Sequence, residues 1–146
     1  MSSNWRPDDS LSERDKKGEL RGAGRIKGAL NKNKIRLGGG VITSRDTGMA
    51  AVRRDLKRTG MPRGVESWQI PVVLGGDVLC FISCLKPRTI VPEHAHHQAV
   101  FRVVISGELR YGRKTLKPGD WMFVPGGETY SIQAGLDGCC VFYAHP

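Results

Sequence analysis

Two histidines and a tyrosine are the residues of this chain best suited to do chemistry. His94 and His96 stand two positions apart, just before an apolar run at residues 99–105. In an extended strand alternate side chains share a face, so both imidazoles should point the same way. Two neutral imidazoles can hold a metal ion at about 2.0–2.1 Å. Tyr130 follows a second apolar run and a Pro-Gly-Gly turn, which could return its phenol to the same site.

Residues of the same parity extend this candidate site. Gln98, Val100 and Arg102 should face inward with the histidines. A buried guanidinium needs an anionic partner, so Arg102 could hold a substrate carboxylate or phosphate through two parallel hydrogen bonds. The alternative is that Arg102 reaches the rim and pairs with Glu108 or Glu128.

Tyr130 has several candidate roles. As a metal ligand it would have to ionise, which requires a strong Lewis acid because the free pKa of tyrosine is about 10. It could instead donate a proton to a substrate, or be a buried aromatic residue with a satisfied hydroxyl. We therefore predict Tyr130 as catalytic, Gln98, Arg102 and Tyr130 as substrate-binding, and His94, His96 and Tyr130 as metal ligands. The alternative for the histidines is simple hydrogen bonding in a polar pocket.

Short strands must position these residues. From Val65 onward, short apolar runs alternate with Gly, Pro and Asp, and none has the length and period of a helix. We predict strands that include 99–106, 108–111, 129–133 and 139–144, with turns at Gly75, Gly76 and residues 135–138. Many short strands at this spacing indicate a sandwich or a barrel.

The first part of the chain differs in charge from the rest. Residues 1–60 carry fifteen Lys and Arg against seven Asp and Glu, so they hold most of the net charge of +9. We predict a basic arm over residues 1–45 that is disordered or ordered by a partner, since glycines weaken its helix potential. A short helix and linker should follow over 46–64, and a barrel over 65–146. The arm could bind nucleic acid or another acidic partner, or be a solvated leader.

The cysteines and the absence of long apolar runs bear on the compartment. The four cysteines form no C-x2-C pair, which argues against a zinc knuckle. No run of 18 apolar residues and no secretory signal is present, so we predict no membrane span and a cytoplasmic location. Disulfides are not expected there, and Cys80 and Cys84 are interpreted as small buried hydrophobes.

The glycine, proline and histidine spacing resembles the two motifs of the cupin superfamily, G-x5-H-x-H-x3 or 4-E-x6-G and G-x5-P-x-G-x2-H-x3-N. The matching positions are His94, His96, Gly107, Gly119, Pro125 and Gly127. The departures are Arg88 at the first glycine, Val100 at the glutamate, Tyr130 at the last histidine and Ala134 at the asparagine. The resemblance covers roughly residues 66–146. It implies a homodimer and a metal site that lacks two of its four usual ligands.

Three classes of function follow from this resemblance. The first is a metal-dependent oxygenase, isomerase or lyase that binds a small molecule in the barrel, with Fe, Mn, Ni or Zn on His94 and His96. The second is a metal-free cupin with a structural, regulatory or ligand-binding role. The third uses the basic arm as an anchor on nucleic acid or a larger assembly. The predicted fold is all-β, a double-stranded β-helix (jelly-roll) cupin barrel with a flexible basic N-terminal extension and one short helix.

Overall fold

The computed structural model describes residues 5–74 and 77–146, and the turn predicted at Gly75 and Gly76 lies outside these residues. Within the described part, one 3-10 turn at Ser10–Ser12 precedes two helices and seven strands. In chain order these are α1 (Arg21–Lys32), α2 (Met49–Asp55), β1 (Val65–Gln69), β2 (Leu79–Leu85), β3 (Ile90–His94), β4 (Val100–Tyr111), β5 (Lys114–Leu116), β6 (Trp121–Val124) and β7 (Tyr130–His145). None of the helices in the described part of the chain is long and apolar enough to cross a membrane.

The strand β7 is the centre of the sheet. The hydrogen-bonded path runs β1-β2-β7-β4-β5, with β3 also on β7 and β6 also on β4, and every pairing is antiparallel. One edge of β7 pairs with β3 near its beginning and with β2 near its end, while the other edge pairs with β4 along most of its length. Two long strands therefore link all the shorter ones.

Glycines let the two long strands bend without ending. One strand was predicted on each side of Gly107, at 99–106 and 108–111, and a turn at residues 135–138, but β4 and β7 run through both places. The β4–β7 register shifts beside Gly107, which has φ +71°, and Gly138 has φ +76°. A Cβ at Gly107 would overlap the carbonyl oxygen of Gly138, so the two backbones touch at this bend. The glycines that were interpreted as strand ends therefore lie at bends within continuous strands.

Alternation along β4 separates the inside of the roll from the outside. Val100, Arg102 and Val104 are buried, whereas Phe101 and Ile105 are exposed, which is the period expected of a strand with one face on a core. The buried face packs with apolar residues of β2, β3, β6 and β7 in one cluster. This face also carries the polar residues of the candidate site.

The N-terminal segment holds two helices where one short helix was predicted, while the disordered or partner-ordered arm over residues 1–45 stays a prediction. Residues of α1 pack against α2 in a second apolar cluster, which comprises Ile26, Ala29, Leu30, Met49, Val52 and Leu56. The side chain of Arg25 fixes α1 to the barrel, donating hydrogen bonds to Gln69 Oε1 at 3.0 Å and to the Asp55 and Lys57 carbonyls. This packing outweighs the helix cost of the glycines. The boundaries proposed at residues 45 and 64 stay a prediction.

A disulfide joins β2 to β7, contrary to the expectation of reduced cysteines. Cys84 and Cys140 are directly opposite each other in the antiparallel register, with their Cα atoms 4.1 Å apart. Cys80 and Cys139 are buried free thiols. Sequence could not reveal this pair because its members are 56 residues apart and become neighbours only through the pairing of β2 with β7.

Candidate functional site

The predicted histidine and tyrosine residues meet at the end of the roll. His94 ends β3 and is the direct cross-strand partner of Tyr130, which begins β7. The ring centroids of His94 and Tyr130 are 4.5 Å apart, and those of His94 and His96 are 4.9 Å apart. His96 lies 6.2 Å from Tyr130 by the same measure. The three rings thus lie close together at this end of the roll.

The backbone fixes the orientation of the His94 ring. His94 is only 6% exposed, and its Nδ1 lies 2.7 Å from the carbonyl oxygen of Pro92. A carbonyl oxygen only accepts, so Nδ1 carries the proton and Nε2 presents its lone pair. Burial lowers the pKa of His94, which keeps the ring neutral. Its Nε2 is buried and has no hydrogen-bond partner among the described residues.

An acidic residue from the N-terminal segment positions His96. The Nδ1 of His96 lies 3.4 Å from the Asp9 Oδ1, so this nitrogen donates and Nε2 again holds the lone pair. Burial, together with the positive charge of Arg102 and the neighbouring His94, lowers the pKa of His96 to about 4. The Nε2 of His96 is also buried, without a hydrogen-bond partner in the described part of the chain.

Two hydrogen-bond donors, on Tyr130 and Arg102, are buried beside the histidines. Tyr130 is 3% exposed, and burial raises its pKa, so the phenol stays protonated. Arg102 is 7% exposed, and its guanidinium carbon lies 5.3 Å from the ring centroid of Tyr130 and 5.2 Å from that of Tyr143. The hydroxyl of Tyr130 and the Nη1 of Arg102 have no hydrogen-bond partner in the ranges that the structure describes. Arg102 therefore faces inward and does not pair with a carboxylate at the rim.

Residues 5–12, here called the N-terminal strap, cover this end of the roll. The Trp5 ring meets the edge of the His94 ring at 4.9 Å between centroids, and its Nε1 donates to the Gly60 carbonyl at 2.8 Å. Arg58 donates through Nη2 to the Asp8 carbonyl at 2.9 Å. Ser12 Oγ lies 3.2 Å from the Nδ1 of His145. The strap is therefore held at several points along its length.

Two small cavities flank the histidines. The inner one has a volume of about 40 Å³ and is lined by side chains that include Trp5, His94, His96, Arg102 and Tyr143. The outer one is a cleft of about 200 Å³ between the strap and residues 96–98. A single water occupies about 30 Å³ of liquid, so the inner cavity has room only for an ion or a few atoms while the strap is in place.

The structure separates one predicted substrate-binding residue from the others. Gln98 is exposed and lines the outer cleft, because the chain leaves the extended conformation between β3 and β4 and loses the strand parity. His145 lines the same cleft, and sequence analysis gave it no role. The pattern that could have indicated an inward-facing His145 is the alternation along β7, where Val141, Tyr143 and His145 are all buried. Asp9 has no comparable local signal, since it lies 87 residues from His96.

The site offers a metal ion two protein ligands, the Nε2 atoms of His94 and His96. Metal binding requires neutral imidazoles, and each Nδ1 is already engaged by an acceptor that orients the ring, as is usual for metal-bound histidines. Val100 offers no donor, and among the described residues no group of three or more His, Cys, Asp or Glu is arranged to hold a metal. A metal at His94 and His96 would therefore depend on ligand atoms or on Tyr130 for its remaining positions.

No family model and no curated protein sequence matches the chain. Among solved structures, it is similar to KdgF from Halomonas sp., with 16% identity and a TM-score of 0.50 over 58% of this chain and 81% of that chain. It is also similar to the structure of Rhodobacter sphaeroides SigE in complex with the anti-sigma ChrR, with 17% identity and a TM-score of 0.55 over 83% of this chain and 75% of that chain.

A third similar structure is a variant of Bacillus subtilis oxalate decarboxylase, with 23% identity and a TM-score of 0.53. It matches 61% of this chain, and the chain spans only 26% of that longer protein. At these identities the likeness bears on the fold. The neighbours are cupin-fold proteins, and the antiparallel sheet described above agrees with them. The chain therefore has the all-β jelly-roll fold of these structures, as predicted from its sequence.

Proposed function

We propose that the chain is a small-molecule-binding cupin whose interior site combines a metal ion on His94 and His96 with an anionic group on Arg102. One observation carries this proposal: on four neighbouring residues, His94, His96, Arg102 and Tyr130, a buried polar atom has no hydrogen-bond partner among the described residues. Buried polar groups are nearly always paired in native proteins, and leaving them unpaired costs about 1–3 kcal/mol each. A bound ligand would satisfy all four.

The pattern of lone pairs and donors defines the chemistry of that ligand. The two imidazole Nε2 atoms can bind an electron-poor centre, for which a divalent metal ion is the best candidate. The Arg102 guanidinium can hold a carboxylate or phosphate through two hydrogen bonds. Tyr130 is protonated and can donate to an oxygen atom of the same ligand. Together these residues suit a small anion that also coordinates the metal.

The metal is one of Fe, Mn, Ni or Zn in this proposal. Imidazole nitrogen suits Fe, Ni and Zn, and the related fold of Bacillus subtilis oxalate decarboxylase has Mn(II) centres. A metal ion bound here would act as a Lewis acid on a ligand oxygen. If the protein is an oxygenase, isomerase or lyase, Tyr130 is the side chain best placed to supply a proton and Arg102 the one to orient the substrate.

Entry to this site depends on the strap. The inner cavity of about 40 Å³ is much smaller than the roughly 300–1,000 Å³ typical of ligand pockets. A ligand larger than a few atoms must therefore displace Trp5 and the residues that follow it. Gln98 belongs to the outer cleft and is proposed to contact a ligand only on its way in.

A second candidate function is a metal-free regulatory cupin that acts on a larger partner. The similar structure that includes SigE and the anti-sigma ChrR matches 83% of this chain, whereas residues 65–146 are only 82 of its 146 residues. That likeness therefore extends into the segment before β1. The exposed basic residues of α1 are partly neutralised, since Arg21, Lys27 and Lys32 each pair with a carboxylate. This pairing favours an acidic protein over nucleic acid as the partner.

A homodimer is the assembly that we propose for either function. The outer face of β4 and β6 exposes a row of apolar residues that cross-strand pairing brings together, with Phe101 opposite Phe123 and Val103 opposite Trp121. An exposed apolar patch of this kind is typical of a protein interface. A cytoplasmic location remains the prediction of the sequence.

Metal analysis of the purified protein tests the main proposal. The protein is expressed without a histidine tag, supplied with Fe, Mn, Ni and Zn in separate samples, dialysed and measured by mass spectrometry of its metal content. We expect about one bound ion per chain, lost when His94 and His96 are both replaced by Ala. The matched control is His97→Ala, because His97 is adjacent but exposed. Absence of metal from the wild type, or equal loss in the control, rejects the metal site and leaves the second candidate.

A further inference from the structure

A large groove lies on the outside of the roll, away from the histidines. It has a volume of about 650 Å³ and runs between α2 and the outer surface of β1 and β2. Its apolar lining comprises Met49, Ala50, Trp68, Ile70, Pro71 and Ile82. This volume is within the range of small-molecule sites, unlike either cavity beside the histidines. The groove is not used by the function proposed above.

Unpaired positive charge borders this groove. Arg45, Arg53 and Arg54 line it, and no guanidinium of the three has a hydrogen bond or ion pair with any described residue. Among the described lining residues, Lys57 is the only cation with an acidic partner, since its Nζ lies 3.2 Å from the Glu66 Oε1. Glu66 is the only carboxylate in that described lining, so the groove carries an excess of about three positive charges. Guanidinium groups bind carboxylates and phosphates bidentately, and this excess selects an anion.

An aromatic platform completes the groove. The guanidinium carbon of Arg53 lies 3.9 Å from the ring centroid of Trp68, so the planar cation stacks on the indole. Ile82 is the cross-strand partner of Trp68 and continues the same apolar surface. A flat ring can stack on such a layer or replace Arg53 on the indole, while its anionic group reaches the other guanidiniums.

We infer that this groove is a second binding site, which takes a small ligand with a planar aromatic body and an anionic group. The apolar floor accounts for the planar body, and the three guanidiniums that have no carboxylate partner among the described residues account for the anionic group. The anionic group is a phosphate, a carboxylate or a sulfonate, since all three present the same pair of acceptor oxygens. The inference is independent of the metal site, because no residue is shared between the two.

The test uses two fluorescent probes of almost the same shape. 1-Anilinonaphthalene-8-sulfonate carries an anion, and N-phenyl-1-naphthylamine is its neutral counterpart. The folded full-length protein is titrated with each probe. We expect one saturable site for the sulfonate and binding at least about tenfold weaker for the neutral probe, since charge-assisted hydrogen bonds are lost. Equal affinity for the two probes, or no saturable binding, overturns the proposal.

Paired variants locate the site and separate local charge from net charge. Arg45→Gln with Arg54→Gln should weaken sulfonate binding about tenfold or more. The matched control, Arg36→Gln with Arg63→Gln, removes the same charge at exposed positions outside the groove and should change binding less than about twofold. Ile82→Glu places a carboxylate on the floor and should abolish binding while the circular dichroism spectrum is unchanged. Equal effects of the two double variants reject the site.

Competition distinguishes the sources of the anion. Adenosine monophosphate displaces the probe if the natural ligand is a nucleotide, and 2-naphthoate displaces it if the ligand is an aromatic acid. A single-stranded oligonucleotide that competes far better than the mononucleotide would instead assign the groove to nucleic acid and overturn the small-molecule inference. Metal content measured on the same samples keeps this result separate from the outcome for His94 and His96.

Discussion

At the residue scale, the partner of one imidazole nitrogen decides what the other can do. The Pro92 carbonyl and the Asp9 carboxylate both accept from Nδ1, so both Nε2 lone pairs face the buried space. A histidine that only filled a polar pocket would be expected to use both nitrogens in hydrogen bonds. The arrangement therefore favours binding over a purely structural role for His94 and His96.

Asp9 should govern metal affinity although it is not itself a ligand. The negative charge of Asp9 orients His96 and increases the basicity of its Nε2. Replacing Asp9 with Asn removes that charge. We expect the metal affinity to fall about 10- to 100-fold, as for other outer carboxylates of metal-bound histidines. Competition with a chromogenic chelator measures this change. The control is Asp137→Asn, an exposed carboxylate outside the site; an equal loss in both variants would remove Asp9 from the site.

The buried histidines should also make the metal-free protein sensitive to acid. The pKa of His96 is about 4 in the folded protein and 6.5 in an unperturbed histidine, so between these values the unfolded chain binds more protons. Stability should therefore fall as pH decreases from 6.5 to 4, by on the order of 3 kcal/mol for His96 alone. The lowered pKa values of His94 and His145 act in the same direction.

Urea unfolding in the presence of a chelator, at several pH values in that window, measures this slope. His96→Gln removes one titrating group and should flatten the dependence. The control variant is His97→Gln, which replaces a neighbouring histidine whose side chain is exposed. An unchanged slope in the first variant contradicts the assignment of acid sensitivity to His96.

Sequence predicted the residues near the cupin motifs and missed those brought in by tertiary contacts. His94, His96 and Tyr130 were predictable because strand parity and a turn are local properties. Trp5 and Asp9 were not, because the strap contacts residues that are far away in sequence, such as His96, which is 87 residues from Asp9. Short-range patterns carry no information about contacts of this separation.

At the element scale, the same limitation explains the strand lengths. The all-β jelly roll was predictable from short apolar runs and from the cupin motifs, and it is confirmed. The continuity of β4 and β7 was not, because a glycine with positive φ is found equally in a turn and in a bulge. Helix α1 was missed because the apolar spacing of Ile26, Ala29 and Leu30 is interrupted by glycines that weaken the signal.

The bend between β4 and β7 should tolerate no side chain at Gly107. In Gly107→Ala, the new Cβ meets the Gly138 backbone, so the strands must separate as well as adopt an unfavourable φ. The matched variant is Gly112→Ala, where φ is +58° but nothing lies within 4 Å of a Cβ. We expect Gly112→Ala to cost about 1–2 kcal/mol in the free energy of unfolding, and Gly107→Ala clearly more. Similar losses in chemical denaturation would mean that the two strands do not touch there.

At the scale of the whole molecule, the roll presents three different surfaces to its surroundings. The strap covers the end that holds the histidines, the helices and the basic groove occupy the side of β1, and the apolar row lies on β4 and β6. Because these surfaces belong to different elements, a dimer formed through β4 and β6 would leave both the strap and the groove accessible. Assembly and ligand binding can therefore be tested separately.

The apolar row is where the homodimer should form. Trp121 is 62% exposed and its ring lies 6.0 Å from that of Phe101, so the two rings form a contiguous patch. Burial of such aromatic residues usually dominates the affinity of an interface. Trp121→Glu should therefore convert a dimer into a monomer in sedimentation velocity measurements. Leu136→Glu is the matched control, because Leu136 is 58% exposed on a different part of the roll and should leave the dimer intact. A monomeric wild type, or dissociation of both variants, would show that this face is not the interface.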